Sequence, residues 1–323
     1  MDERQLRILR ELGELGSVTA VAEALHVTPS AISQQLRLLQ RSIPVPLTER
    51  TGRRVVLTDA GQALAAASVE VQTALARARR AVTDFLKEPD GEVSVAAFHS
   101  AASAFWPLLL RGLADAGGPR LALADEDVAQ DRFPALTRHY DLVLAHRFDH
   151  GPQWPDSVIA IRLLHEPLDV ALPIGHPLTA KPRLSPQDVA DQPWITVKDG
   201  FPLMAIIDAI ASVAGRRLDI AHRINDFTVS AEAVAAGAGI GLMPRWTARA
   251  HPDVVLRPLS GVQAHRDIDV LHRPERTARK AVQTVLAELR RAAAVIQTPL
   301  TAREGAPSVA GSGPQGRPCS ASR

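Results

Sequence analysis

The sequence predicts a multidomain chain: an N-terminal all-α unit with a small hairpin, one long connecting helix, and a larger α/β unit in two lobes. Three observations lead there. Helical periodicity and caps define three short helices before residue 44. An alanine-rich helical run then extends from Asp59 to about Lys87. Beyond it, strand-like and helix-like segments alternate up to Gln297. The length of 323 residues suits two or three such units, and 46% hydrophobic residues supply their cores.

Composition narrows the classes. The single cysteine, Cys319, excludes an intrachain disulfide framework and a cysteine-rich zinc site. The opening MDERQLR is charged and carries no apolar stretch, so no signal peptide is expected. No apolar run is long enough for a bilayer. The expectation is a cytoplasmic protein with no membrane partner. The net charge of +2 is small, but five arginines (Arg37, Arg41, Arg50, Arg53 and Arg54) face Glu49 alone between residues 26 and 57. Such local basicity suits a polyanion.

The N-terminal unit, residues 1–58, begins with a helix over residues 2–15, where Leu6, Leu9, Leu12 and Leu15 form an apolar edge that Gly16 stops. Ser17 caps a second helix over 18–25. Thr28 caps a third, with Pro29 at its first position, where the missing N–H is harmless. On this helix Ile32, Leu36, Leu39 and Ile43 share one stripe, and Ser30, Ser33, Gln34, Arg37 and Arg41 lie roughly 150° away. Short hydroxyls and amides flanked by guanidinium groups are the side chains that reach base edges and phosphates. Two helices joined by about three residues form a helix-turn-helix. PVPLTERTGRRVVLT then reads as a hairpin, or wing, that carries Arg50, Arg53 and Arg54.

Residues 4–64, through GSVTAVAEALHVTPSAISQQLRLLQ, PLTER and RRVVLTDAGQAL, resemble the winged helix-turn-helix of the LysR-type transcriptional regulators. The chain departs from the family at Pro29, where glutamine is usual, at Ile43-Pro44, near a usual Leu-Gly pair, and at Thr48, where an aromatic or aliphatic residue is usual. Pro29 can touch a thymine methyl but cannot hydrogen-bond a base. The resemblance implies double-stranded promoter DNA as partner. Ser30, Ser33 and Gln34 would read base edges, while Thr28, Arg37, Arg50, Arg53 and Arg54 contact phosphates.

The helix of residues 59–89 spans roughly 45 Å at 1.5 Å per residue. Leu64, Val71, Ala78 and Phe85 recur every seven residues, with Leu75 and Val82 offset by four. With no partner evident in the sequence, this seam is expected to pair with a second copy. The family uses the helix for dimerisation, which implies a homodimer, or a homotetramer as a dimer of dimers, with contact to RNA polymerase as a further partner.

Residues 90–297 form the α/β unit. Strands are expected at 93–98, 121–124, 142–145, 158–164, 169–172, 194–197, 218–224, 240–243, 254–256 and 268–271. Helices are expected at 102–116, 186–191, 204–214, 230–236 and 277–297. Such alternation predicts parallel sheets with helices on both faces. DLVLAH, EPLDVALPIGHPLT and AEAVAAGAGIGLMPR resemble the family's effector domain, which is two-lobed and periplasmic-binding-protein-like. Lobe one would comprise 91–163 and 266–297, and lobe two 164–265. Residues 298–323, rich in Pro, Gly and Ser, are expected to be disordered.

In such a unit, ligands bind beyond the carboxyl ends of strands, between the lobes. This places His99 and Ser100, after the first strand, with His146, Thr196 and Phe227 as candidates for a small-molecule effector. The resemblance puts a pocket hydroxyl at Ser100; capping of the following helix is the other role open to it. Asp125-Glu126-Asp127 also follows a strand and would favour a cationic ligand if it faced the cleft, but a solvated loop is the expected arrangement. The GAGIG at 237–241 follows a helix and precedes a strand, the wrong polarity for a dinucleotide fingerprint. His146 and His150 share an i,i+4 spacing but sit in a loop, so no metal is expected. No catalytic motif or cofactor site is found. The expected function is a DNA-binding regulator modulated by a small molecule, and not an enzyme. The alternative is a transport-type small-molecule-binding protein with an incidental N-terminal bundle.

Overall fold

Asp2 and Gln5 exchange hydrogen bonds in a capping box that starts α1 (Glu3–Leu15). The computed structural model describes residues 1–52, 54–86, 91–148 and 151–298, with the backbone alone described over 80–86. Arg53, the linker at 87–90, His150 and the tail from 299 therefore lie outside the described residues. Gly16 ends α1 in the left-handed region, with its N–H on Leu12 O. Next come α2 (Val18–Ala24), capped by Ser17, and α3 (Pro29–Arg41), capped by Thr28. His26 turns between them at φ 53, the one non-glycine with positive φ among the described residues. Ile8, Leu9, Leu12, Val21, Ile32 and Leu39 close the core of this unit. The wing is an antiparallel pair, β1 (Thr48–Thr51) and β2 (Arg54–Leu57), in which Arg50 lies opposite Val55.

α4 (Asp59–Leu86) is long, as expected, but it does have partners within the chain. Gly61, Ala65, Ser68 and Gln72 recur on one face and are buried. This face packs on α1 and on the 3₁₀ turn Pro274–Ala278 far along the sequence. Of the sevenfold seam, Leu64 is half-buried, while Val71 and Ala78 are exposed. The side chain of Phe85 is outside the described residues.

The remaining elements are β3 (Glu92–Ala97), α5 (His99–Asp115), β4 (Arg120–Asp125), α6 (Phe133–Leu136), β5 (Leu142–Arg147), β6 (Ile159–Pro173), α7 (Pro186–Val189), β7 (Pro193–Thr196), α8 (Met204–Ala214), β8 (Asp219–Arg223), α9 (Phe227–Ala235), β9 (Ile240–Pro244), β10 (Val254–Arg257), β11 (His265–His272) and α10 (Lys280–Gln297). β3 pairs in parallel with β4 and β5, and β7 with β8 and β9. The centre departs from the all-parallel expectation. β11 is antiparallel to both β5 and β6, and β6 is antiparallel to β9 and β10. The reason is β6 itself. The sequence suggests two strands, at 158–164 and 169–172, but Pro167 sits within one unbroken strand of fifteen residues. Residues 159–167 of that strand pair with β11, and 168–173 with β9 and β10, so a single sheet curls from one lobe into the other. Conversely, the single helix expected at 277–297 is divided, because Arg279 is extended between the 3₁₀ turn and α10.

Two cores flank this sheet. One joins β3, β5 and β11 to α5 and α10 through Phe105, Leu109, Val282, Val285 and Leu289. The other gathers Trp194, Ile206, Ile210 and Leu242 around β6, β7 and α8. Near the wing, a Cβ on Gly61 would stand 2.0 Å from the backbone oxygen of Leu47, whereas one on Gly13 would meet only the tip of Leu57 at 2.9 Å. We expect Gly61→Ala to destabilise the N-terminal unit by about 1–3 kcal/mol, as overpacking against backbone does. Gly13→Ala should cost less, because Leu57 can turn aside and alanine is about 1 kcal/mol better within a helix. Denaturant unfolding of both variants checks the ranking; equal effects would contradict it.

Candidate functional site

Two regions concentrate the candidate residues. The first is the outer face of α3. Thr28 Oγ1 accepts the N–H of Ala31 at 3.3 Å and lies 2.9 Å from Ser30 Oγ, so the two hydroxyls form one small cluster at the helix start. Thr28, Pro29, Ser30, Gln34 and Arg37 are exposed or half-exposed, and Ser33 is half-buried. Arg37 Nε donates to Ser33 O at 3.3 Å, which lays the guanidinium along the helix. A groove of about 490 Å³ separates α3 from the wing, and Ser33, Arg37, Glu49 and Arg50 line it. Arg54 is exposed on β2. The wing is held to α3 by Gln40, a residue that pattern reading overlooks. Its Nε2 donates to Val45 O at 2.8 Å and Ile43 O at 3.2 Å, while its Oε1 accepts from Leu47 N at 2.8 Å. Those three backbone groups cross PVP, a stretch whose prolines lack N–H groups.

The second region is a cavity of about 620 Å³ between the lobes. The first turns of α5 and α9 both open onto it. Asp226 caps α9 by accepting from Thr228 N and Val229 N. The residue before α5 is Phe98, which provides no side-chain cap. Among the described residues, no side chain caps the first N–H groups of α5, which stand at the cavity. Phe98, Phe148, Phe201 and Phe227 form much of the wall.

At the floor lies Arg266, 3% exposed. Its Nε donates to Glu166 at 3.0 Å, and its Nη2 donates to Ser100 Oγ at 2.9 Å and Thr247 Oγ1 at 2.8 Å. The guanidinium carbon stands 5.1 Å from the Phe98 ring centre and 5.6 Å from that of Phe227, a cation–π arrangement on both sides. Ser100 is thus no helix cap: its hydroxyl faces the cavity and accepts from arginine.

The other sequence candidates divide. His99 lies at the mouth, with Nδ1 at 3.2 Å from Asp125 and Nε2 at 3.8 Å from Asp226. It joins the end of β4 to the cap of α9, that is, one lobe to the other. The hydrogen bond to Asp125 raises its pKa above the ordinary 6.5, against some desolvation and with help from the Asp125, Asp226 and Asp127 charges. His146 lines the cavity and packs edgewise on Phe98, Phe133 and Phe148 at 4.9, 5.2 and 5.8 Å. Burial, with the nearby Arg266 charge, pushes its pKa down to about 3, and its Nδ1 has no protein partner among the described residues. It is a neutral group at any physiological pH. Phe227 is part of the wall, whereas Thr196 is buried outside the lining, its hydroxyl on Met204 Sδ at 3.6 Å. Asp127 does face the cavity, and desolvation followed by the neighbouring Asp125 charge raises its carboxyl pKa. Asp125 and Glu126 point elsewhere, to His99 and to the Tyr140 hydroxyl.

Comparison with known proteins adds to this geometry. The family model for the LysR-family bacterial regulatory helix-turn-helix protein matches residues 3–62, and that for the LysR substrate binding domain matches 86–294. A probable RuBisCO transcriptional regulator of Trichormus variabilis is 25% identical over 293 residues, covering 88% of this chain and 86% of its own. A probable hydrogen peroxide-inducible genes activator of Mycobacterium avium is 30% identical over 244 residues, covering 74% and 76%. Among solved structures, a variant of full-length OxyR from Pseudomonas aeruginosa superposes with a TM-score of 0.58 at 20% identity, over 90% of this chain and 95% of that one. At that identity the likeness concerns the fold.

The two cavity histidines should titrate in opposite senses. A raised folded pKa at His99 contributes stability that is fully present below pH 6.5 and is lost as pH rises through the raised value. His146 stays neutral when folded but takes a proton when unfolded, so its contribution falls as pH drops from 6.5 towards about 3. Imidazole NMR titrations should show His99 above 6.5, returning towards it in Asp125→Asn, and His146 unprotonated at about pH 5. Two ordinary titrations would refute both assignments.

Proposed function

Because the chain belongs to the LysR family of bacterial helix-turn-helix regulators, we propose that it binds promoter DNA through α3 and the wing, and that a small molecule seated between the lobes modulates this binding. One observation carries the DNA reading: a polar, arginine-flanked face of α3 stands in solvent while the opposite stripe, Ile32 and Leu39, is fully buried. Ser30, Ser33 and Gln34 read base edges in the major groove. Thr28, Arg37, Arg50, Arg53 and Arg54 hold phosphates and set the register. Pro29 fixes the helix start and offers only an apolar contact. A transport-type binding protein has no use for such a face, and that alternative is set aside. The family consists of regulators, and this chain is read as one of them and not as an enzyme.

Dimerisation through the exposed side of α4, where Val71 and Ala78 face away from α1, gives two reading heads for a dyad-related site. The tetramer and the polymerase contact belong to the same proposal, as does a cytoplasmic location, where the chromosome is. No described helix is long and apolar enough to cross a membrane. The Mycobacterium avium relative is named for hydrogen peroxide. With Cys319 as its single cysteine, this chain can form no intrachain disulfide in response to an oxidant.

The cavity suits a small organic molecule with an apolar body for the phenylalanine wall. An oxyanion would sit at the uncapped first turn of α5 beside Ser100, and a donor group would face Asp127. Arg266 orients Ser100 and Thr247, and Glu166 already balances its charge.

The deciding experiment is titration of the protein with DNA from its own upstream intergenic region at several salt concentrations. Arg50→Ala and Arg54→Ala should each flatten the slope of log affinity against log salt by about 0.9 for each phosphate no longer neutralised, for every sequence alike. Gln34→Ala should leave the slope and remove about 1–3 kcal/mol of preference between operator and unrelated duplex. Absence of any sequence-preferring complex would end the proposal. For the cavity, thermal-shift screening should return ligands that stabilise the wild type but not Arg266→Met.

A further inference from the structure

The reading unit and lobe one meet through charges that neither the DNA face nor the cavity uses. On α1, Arg10 and Glu11 are only 3% and 1% exposed. Glu11 Oε1 accepts from Arg273 Nη1 and its Oε2 from Arg138 Nε, each at 2.7 Å. Glu14 Oε2 takes a second nitrogen from both, Arg138 Nη2 at 2.8 Å and Arg273 Nη2 at 3.0 Å. Arg10 reaches outward in the opposite sense. Its Nη1 donates to Glu275 at 3.2 Å and to Gln72 of α4 at 3.1 Å, and its Nη2 donates to Ser157 O at 3.2 Å. Its Nε closes the set on Glu14 at 3.1 Å.

One turn of α1 therefore holds four separate pieces of lobe one: the segment after α6, the residue after β11, the 3₁₀ turn at Pro274–Ala278, and the approach to β6. The charges are complementary, two carboxylates and a guanidinium on α1 against two guanidiniums and a carboxylate on lobe one. Burial works to raise the Glu11 pKa, but the hydrogen bonds and charges of Arg273 and Arg138 overcome it and hold the carboxylate ionised. Removing one partner from such a buried set leaves an uncompensated charge, whereas parting the two bodies returns every charge to water. An apolar seam would resist separation at each stage. This contact is intolerant of a missing member.

We infer that Glu11 and Glu14, seated on Arg138 and Arg273, form an ionic latch that sets the orientation of the reading unit on lobe one. The latch is anchored to the cavity by chain continuity. Arg273 immediately follows β11, whose opposite end carries Arg266. About seven residues of strand, roughly 23 Å at 3.3 Å per residue, separate the cavity floor from the latch. A displacement of β11 along its own axis would be felt at both ends.

The test uses the full chain, with Cys319→Ser, spin labels on Glu23→Cys in the reading unit and Arg111→Cys on α5, and labelled protein diluted into an excess of unlabelled protein. Pulsed-dipolar distance measurement should give one narrow distribution in the otherwise unaltered chain. Arg138→Met, and more completely Arg138→Met with Arg273→Met, should broaden or displace it. Arg223→Met, which removes an exposed pair with Asp199 in lobe two, should not. The Arg138 side chain bonds only to α1 among the described residues, so Arg138→Met decides the matter even if the double variant does not fold. An unchanged narrow distribution in Arg138→Met overturns the latch. So does a broad distribution before any latch residue is altered. Neither outcome depends on DNA or on a cavity ligand, so the result stands apart from the regulator reading.

Discussion

Four donors converge on the carboxylate of Glu166, a residue with no exposed surface: Trp246 N at 2.9 Å, Thr247 N at 2.7 Å, Thr247 Oγ1 at 2.9 Å and Arg266 Nε at 3.0 Å. A carboxylate so placed without them would carry a desolvation cost of several kcal/mol. Its donors come from the segment after β9 and from β11, while Glu166 itself stands where β6 leaves one lobe for the other. One side chain therefore ties the outgoing strand to the returning one. Arg245, donating twice to Asp169 at 2.6 Å, repeats the device three residues on. Arg266, at the floor of the cavity, is thus held by buried charged and hydroxyl partners, while His99 stands at the mouth between Asp125 and Asp226.

The N-terminal unit meets a different constraint. A helix that reads a groove must be packed firmly on one side and left bare on the other, and an arginine-bearing hairpin must stand beside it at a fixed angle. The buried stripe of α3 supplies the first condition. Gln40 supplies the second, because the PVP turn has few donors of its own and one amide satisfies the backbone on both sides of it. The close approach of Gly61 to Leu47 O then locks the start of α4 against the wing.

Much of this is legible in residue order. The caps at Thr28 and Ser17, the two stripes of α3 and the spacing of the hairpin are local properties, and local properties survive folding. Most of the failures share a cause: they involve residues distant in the chain. Pro167 suggests a break in β6, but its position opposite His265 in an antiparallel pair lets the strand run through. An alanine-rich α4 looks unpartnered until the turn at Pro274–Ala278 folds back onto it. Arg266 escapes a strand-end reading of the cavity, although HRDIDV carries a signal: three charges in a strand otherwise bound for the core need partners there. Thr196 shows the converse, for the strand-end rule gives the right region but not the direction of a side chain.

The fifteen residues of β6 bear on how the α/β half comes apart. Leu163 and Leu164 belong to the core of one lobe, and Leu168, Val170 and Leu172 to that of the other. Neither core can dissolve without stripping a strand from its neighbour. Two lobes that look like separate modules thus share one strand, and local unfolding of either disturbs the pairing of the other. Cutting the gene at the apparent waist would yield two fragments, each missing half of a shared strand, instead of two domains.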